Sequence, residues 1–438
     1  MLELNKDVIF LILEELKNDR KSLYSCLLIN KTWCEMTVPI LWKIPGLNYL
    51  NYNNNKKIRL LNVILLHLSE ESRNILKDQG IKFFTTTKYQ RPFFNYINFW
   101  RSLNLHLIEE ILNVSIEQSK ISIVRNEILK LFINKNTKFI ELYIPQKFNY
   151  QIHLISGVEN CFSELEYLCC DANIDQNILR GLSKIIKSIK KLRFKDIMQY
   201  NDRNKNIGII SLIETQENLE DICFNCYSNV RDESYCVSLE ESLIKKANIL
   251  EILRTQQVPS KILANLIENT KGYLTEISIC YEGVDNKRLI QAIYENCPNL
   301  KYLKLSFINN DITELEKLLI KCKHLSGLVI IIFENEPDWD NLFKVLISSS
   351  PINLFKFKFS SFKTLKLETL KFFFDNWKDR HPILLQTNSL YSLYSANTER
   401  QQQINNLVET YKKKGIVKTY DVYWQIHTIE DFEWEKTF

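Results

Sequence analysis

The apolar positions of the first fifty residues recur at the spacing of amphipathic helices. Val8, Ile9, Ile12, Leu13 and Leu16 share one face, behind Asn5 as a good N-cap and Asp7 at the positive end of the helix dipole. Asn18-Asp19 closes this helix. Leu23, Cys26, Leu27 and Leu28 form a second apolar set, and Trp33, Pro39 and Leu41-Trp42 follow in a third helix. The polar tract Asn51–Asn55 reads as a loop or linker. Helical spacing continues through Leu60–Leu66, Ile108–Leu112 and Ile128–Ile133, with a break at Arg91–Tyr96.

A different rhythm takes over further along. Apolar residues at positions 1, 4 and 6 of a short strand recur at Phe139, Leu142, Ile144; Leu165, Leu168, Cys170; Ile189, Leu192, Phe194; and Leu219, Ile222, Phe224. They continue at Leu250, Leu253; Leu274, Ile277, Ile279; Leu300, Leu303, Leu305; Leu325, Leu328, Ile330; and Leu354, Phe357, Phe359. Between them lie helical sets such as Ile262, Leu263, Leu266, Ile267 and Leu315, Leu318, Leu319. One helix and one strand are too small to bury their own apolar faces, so such units have to stack. Successive first positions lie 24 to 31 residues apart, close to or just above the period of about 20–29 typical of leucine-rich repeats.

The expected fold is therefore α/β. A three-helix module (1–48) and a helical connecting region (49–135) precede an irregular leucine-rich-repeat solenoid (136–380), a horseshoe of alternating helices and short parallel strands. A C-terminal capping region (381–438) follows, with a last helix across Glu399–Asn406 and Tyr411–Lys414 and an aromatic strand at Tyr420–Trp424.

Composition narrows the function. Nine glycines in 438 residues is well under the usual share of about 7%, which disfavours turn-rich barrels and phosphate loops. A hydrophobic fraction of 45% with 25% charged residues argues against global disorder, and a net charge of +5 leaves no basic footprint for nucleic acid. No apolar stretch reaches the roughly 18 residues of a membrane span, and the first apolar run ends at Glu14-Glu15 without a small-residue cleavage site. A cytoplasmic and/or nuclear chain with free thiols is expected. Cys161, Cys297 and Cys322 each stand three or four residues before a strand's first leucine, one shared buried position in the repeat. Cys223-Phe224-Asn225-Cys226 has half-zinc-site spacing but no second pair, and Phe224 is a core position, so packing is the simpler reading. His67, His106, His153, His324, His381 and His427 are scattered, and no P-loop, GxGxxG, GxSxG or HExxH is present. No enzyme, cofactor or metal is expected.

The opening segment resembles an F-box, the roughly 45-residue motif that docks substrate receptors on the Skp-family adaptor of cullin–RING ubiquitin ligases. Leu4, Asp7, Val8 and Ile9 match its start, Ser25 to Trp33 its middle, and Leu41-Trp42 its end; Asn5 stands where the family has proline. An F-box followed by cysteine-containing leucine-rich repeats is a common layout of the family, and the degenerate Asn-, Ile- and Lys-rich repeats look similar to fungal members. The resemblance implies a substrate receptor of an SCF-type ligase, binding the adaptor, through it a cullin, and a target protein on the repeats. Leu4, Val8, Ile9, Ile12, Leu16, Leu27, Leu28, Trp33, Pro39, Leu41 and Trp42 would then serve the adaptor, with Trp33 and Trp42 equally readable as module core. A leucine-rich-repeat scaffold or inhibitor with no role in ubiquitylation is the alternative.

Strand alternation places positions 3, 5 and 7 on the face away from the helices. This gives Glu141, Tyr143, Tyr167, Asp171, Lys191, Arg193, Lys195, Asp221, Arg254, Glu276, Tyr302, Lys304, Lys356 and Lys358 as the expected target face, two basic clusters about a more acidic centre.

Overall fold

The computed structural model describes residues 4–45, 53–81, 92–197, 206–226, 236–280, 286–333, 337–362, 365–389, 398–421 and 432. The chain divides into two compact units, one of residues 1–191 and 207–217, the other of residues 192–206 and 218–438. Among the described residues, twelve strands follow one another in chain order, and β1–β2, β2–β3 and the neighbours from β5 to β12 pair in parallel. No described helix is long and apolar enough to cross a membrane.

In the first unit, α1 (Lys6–Glu15), α2 (Arg20–Cys26) and α3 (Lys31–Leu41) close on Ile9, Leu13, Leu23 and Cys26, with Leu16, Trp33, Met36, Ile40 and Leu41 packed around them. Each helix starts on a short polar side chain that takes up an otherwise unpaired N–H. Asn5 Oδ1 accepts from Asp7 N at 3.2 Å, Asp19 Oδ1 from Lys21 N and Ser22 N, and Asn30 Oδ1 from Trp33 N at 3.0 Å. The Ser22 hydroxyl and backbone N–H hold the Asp19 carboxyl below its usual range.

The asparagine tract departs from expectation for the same reason. Asn53 caps α4 (Asn54–Leu65), accepting from Lys56 N at 3.0 Å, so the tract's end initiates a helix instead of forming a linker; residues 51 and 52 lie outside the described residues. A helix the spacing did not suggest, α5 (Glu70–Asp78), precedes α6 (Leu105–Ser115) and α7 (Ile121–Phe132). Ser72 Oγ on α5 donates to the buried Glu127 on α7 at 2.6 Å. Burial pushes that carboxyl up, but the hydrogen bonds from Ser72, Lys130 and Asn126 outweigh it and hold it below its usual value.

The repeat begins one strand earlier than its pattern, at β1 (Ser102–Asn104), followed by β2 (Glu141–Ile144), α8 (Val158–Cys161), β3 (Tyr167–Asp171) and α9 (Gln176–Ile185). β4 (Lys191–Ile197) starts on the last residue of the unit's main segment, and α10 (Ile207–Thr215) returns to the unit. Leu103, Leu142 and Leu168 stand in register. Gln216, fully buried, fastens the turn after α10. Its Nε2 donates to Ile186 O at 3.0 Å and Leu212 O at 2.9 Å, and its Oε1 accepts from Ile189 N at 3.0 Å. At Gly208 a Cβ would lie 2.6 Å from Gln176 O, so α9 and α10 approach as only glycine allows.

The second unit runs β5 (Asp221–Cys226), α11 (Cys236–Lys246), β6 (Ile252–Gln256), α12 (Ser260–Glu268), β7 (Glu276–Cys280), α13 (Lys287–Asn296), β8 (Tyr302–Phe307) and α14 (Ile312–Lys321). It continues with β9 (Gly327–Ile332), α15 (Trp339–Ser349), β10 (Lys356–Ser361), α16 (Leu367–Asn376), β11 (Ile383–Ser389), α17 (Thr398–Lys413) and β12 (Val417–Asp421). Position 4 forms one unbroken column: Ile222, Leu253, Ile277, Leu303, Leu328, Phe357, Leu385. Rings from α15 and α16 meet the column and its position 6 neighbours, with Phe343 stacked on Phe373 at 4.6 Å and Phe357 edge-on to Trp377 at 5.4 Å. This fixes positions 4 and 6 as the helix-covered side. β11 extends the ladder past the residue where the pattern fades. Its first position is Pro382 and its sixth Thr387, so the motif is unreadable although the strand pairs. The strand expected at 420–424 begins earlier, at Val417; residues 422–424 lie outside the described residues.

The three repeat cysteines share the expected position. Cys161 ends α8, while Cys297 and Cys322 cap the C-termini of α13 and α14, all buried. Burial pushes the Cys161 thiol up to about 11 and those of Cys297 and Cys322 up to about 12. At pH 8 about one thiol in a thousand or fewer at these sites is ionised, and only the thiolate attacks. Mass-spectrometric mapping after brief iodoacetamide treatment of the folded chain should find all three unmodified. Rapid labelling of Cys297 in the native state would contradict this placement.

Candidate functional site

The residues singled out in the sequence form two sets, one on the N-terminal module and one on the strands of both units. The first lies on the N-terminal module. α1 holds six successive apolar residues, Val8 to Leu13, and a three-helix module can bury only one side of such a helix. Ile9 and Leu13 enter the core, and the rest face solvent. Among the expected adaptor residues, Leu4, Val8, Ile12 and Leu28 are exposed, Leu28 at 87%. Leu16, Leu27, Trp33, Pro39, Leu41 and Trp42 are half-buried. Ile9, Leu16, Trp33 and Leu41 take part in the module's own packing, and Trp42 lies against Tyr96 with ring centroids 4.5 Å apart. The pattern-based set missed Phe10, Leu11 (65% exposed), Tyr24 and Ile29, which extend the exposed apolar surface. The signal was present in the uninterrupted apolar run of α1, which a single helical stripe does not require.

The second set stands at positions 3, 5 and 7 of the strands. In the first unit Tyr143 and Tyr167 meet edge to face at 5.3 Å, and the Tyr143 hydroxyl donates to Glu141 at 3.4 Å. On β4, Lys191 and Lys195 are exposed and Arg193 is half-buried. In the second unit the expected residues are largely engaged within the chain. Arg254 on β6 reaches Asp221 on β5 through Nη1 at 2.7 Å and Glu276 on β7 through Nε at 2.8 Å. Burial works against the charged guanidinium, but the attraction of Asp221 and Glu276 outweighs it and raises its pKa. Lys356 Nζ lies 3.4 Å from the Tyr302 hydroxyl. Lys304 and Lys358 are buried, at 3% and 1% exposure.

Part of this face is also apolar. Cys280, Val329, Ile331 and Leu384, all at odd positions, form a buried cluster against which Tyr302, Phe333, Phe355 and Phe432 pack. β9 reads Gly-Leu-Val-Ile-Ile-Ile and is buried along its whole length, the mark of a strand covered on both sides.

No family model matches the sequence, and no curated protein matches it. Among solved structures, the chain is similar to the leucine-rich repeat-containing protein LegL7 from Legionella pneumophila. The TM-score is 0.38 at 13% sequence identity, over 60% of this chain and 87% of that one.

Proposed function

We propose that this chain is a substrate receptor of an SCF-type cullin–RING ubiquitin ligase, its N-terminal module binding a Skp-family adaptor and its repeats holding a target protein. The observation that carries the reading is the set of exposed apolar side chains on α1, at Tyr24 and in the turn after α2, on a module whose own core is formed by Ile9, Leu13, Leu23 and Cys26. Exposed apolar side chains in this number on so small a module suit a partner-binding surface. Their positions coincide with the segment that resembles an F-box, and Asn5 performs the helix-starting task at the site where the family has proline. A receptor needs no chemistry of its own: holding target and charged enzyme together raises their effective concentration.

The test is binding of the purified full chain to a purified Skp-family adaptor, with Leu11→Asp and Leu28→Asp introduced together. Both side chains are exposed, so thermal unfolding should not change. A central apolar contact contributes about 2 kcal/mol or more, so the pair should weaken adaptor binding by about a hundredfold or more. Undiminished binding by the variant would remove the adaptor reading.

A further inference from the structure

The sheet face opposite the helices is open unless another segment lies on it, yet from β7 to β10 its side chains at positions 5 and 7 are buried. Ser278, Cys280, Lys304, Ser306, Val329, Ile331, Lys358 and Ser360 all have less than a tenth of their surface exposed. The helices cannot account for this, because their rings meet positions 4 and 6. Phe432 does touch this side. It stands eleven residues beyond the end of β12, packs on the Cys280, Val329, Ile331 and Leu384 cluster, and lies 5.3 Å from the Tyr302 ring. Around it the sequence reads Glu430-Asp431-Phe432-Glu433-Trp434-Glu435, four carboxylates flanking two aromatic rings. The face it packs on carries Lys304, Lys356 and Lys358, and a buried ammonium persists only beside an acceptor or a negative charge.

We infer that the position 3, 5 and 7 face of β7–β11 is a binding surface for an acidic peptide segment anchored by an aromatic side chain, and that this chain's own C-terminal segment is its resident occupant. Phe432 supplies the anchor in the Cys280–Leu384 cluster, and the acidic sequence on either side of it is complementary in charge to the lysines of the face. A target taken by this face carries the same chemistry and must displace the tail. The inference rests on reading this face as the target-binding one and is independent of the adaptor. Intramolecular occupancy at the millimolar effective concentration of a short linker keeps out weak ligands and admits strong or multivalent ones.

The test uses a fluorescein-labelled synthetic peptide of residues 422–438, titrated against the full chain, against the full chain with Phe432→Ala, and against a chain ending at Asp421, which retains all twelve strands. The peptide should bind the two altered chains about a hundredfold more tightly than the native one. A peptide with Phe432→Ala, or with its four carboxylates as amides, should bind at least about tenfold more weakly. Cys280 gives a second readout, with Cys280→Ser as its blank. The thiol should label slowly in the native chain, faster in both altered chains, and slowly again once the peptide is added, while Cys297 and Cys322 stay unlabelled throughout. Equal affinity for native and altered chains, no binding by the altered chains, or unchanged Cys280 labelling would each overturn the inference. Adaptor binding measured on the same preparations separates failure here from failure of the receptor reading.

Discussion

Phe357→Ala is expected to lower the stability of the second unit by about 4 kcal/mol. The side chain is fully buried at position 4 of β10, between Leu328 and Leu385 in the column. Its ring lies 5.8 Å from Phe359, 5.7 Å from Phe373 and 5.4 Å from Trp377. Truncation removes these contacts and leaves a cavity walled by rigid rings, which cannot collapse to fill it. In stacked repeats each unit is stabilised mainly by its neighbours, so the loss spreads to the adjoining strands. Urea denaturation followed by circular dichroism should show a midpoint well below that of the native chain. A change of less than about 1 kcal/mol, the scale of ordinary surface substitutions, would mean that the aromatic cluster is not the packed core described.

The second large effect concerns Arg254. Its guanidinium joins carboxylates on two neighbouring strands, and all three side chains are largely shielded from solvent. Arg254→Met should cost about 3 kcal/mol, because Asp221 and Glu276 would remain without the cation between them. Most of that cost is the penalty of stranded charge, not the worth of the pair. The triple variant Asp221→Asn, Arg254→Met, Glu276→Gln should therefore recover a substantial part of the loss. If Arg254→Met alone left the urea midpoint unchanged, the triad would be a solvated surface cluster available to a partner, as the sequence pattern had suggested.

What could be read in the chain is what depends on local period. The column from Leu142 and Leu168 in the first unit, and from Ile222 to Phe357 in the second, follows from apolar residues at fixed offsets; strand pairing places them side by side. The cysteine position at the helix-to-strand turn followed from the same count. Elements without that signature escaped. β1 has three residues and one apolar core side chain, Leu103; α5 buries only Ser72 and Leu76; β11 opens after a proline. Each is held by its neighbours more than by its own sequence.

The candidate surfaces were legible to a lesser degree. Alternation assigned odd positions to one face, and Cys280, Val329, Ile331 and Leu384, all at odd positions, pack together against Phe432. It could not say which of those positions face solvent. Burial of Lys304 and Lys358 is a tertiary property of the covered face, which no local pattern encodes. On the module, only Ile9 and Leu13 of the helical stripe are buried, Leu16 is half-buried, and Val8 and Ile12 are exposed together with Phe10 and Leu11, which lie off the stripe.

The proposed role is tested most directly by recovering the tagged full chain from cells and scoring adaptor and cullin together, beside the Leu11→Asp, Leu28→Asp variant. The native chain should bring down both, and the variant neither. Adaptor without cullin, or equal recovery of both by the two chains, would contradict a receptor that joins the ligase through its exposed N-terminal surface.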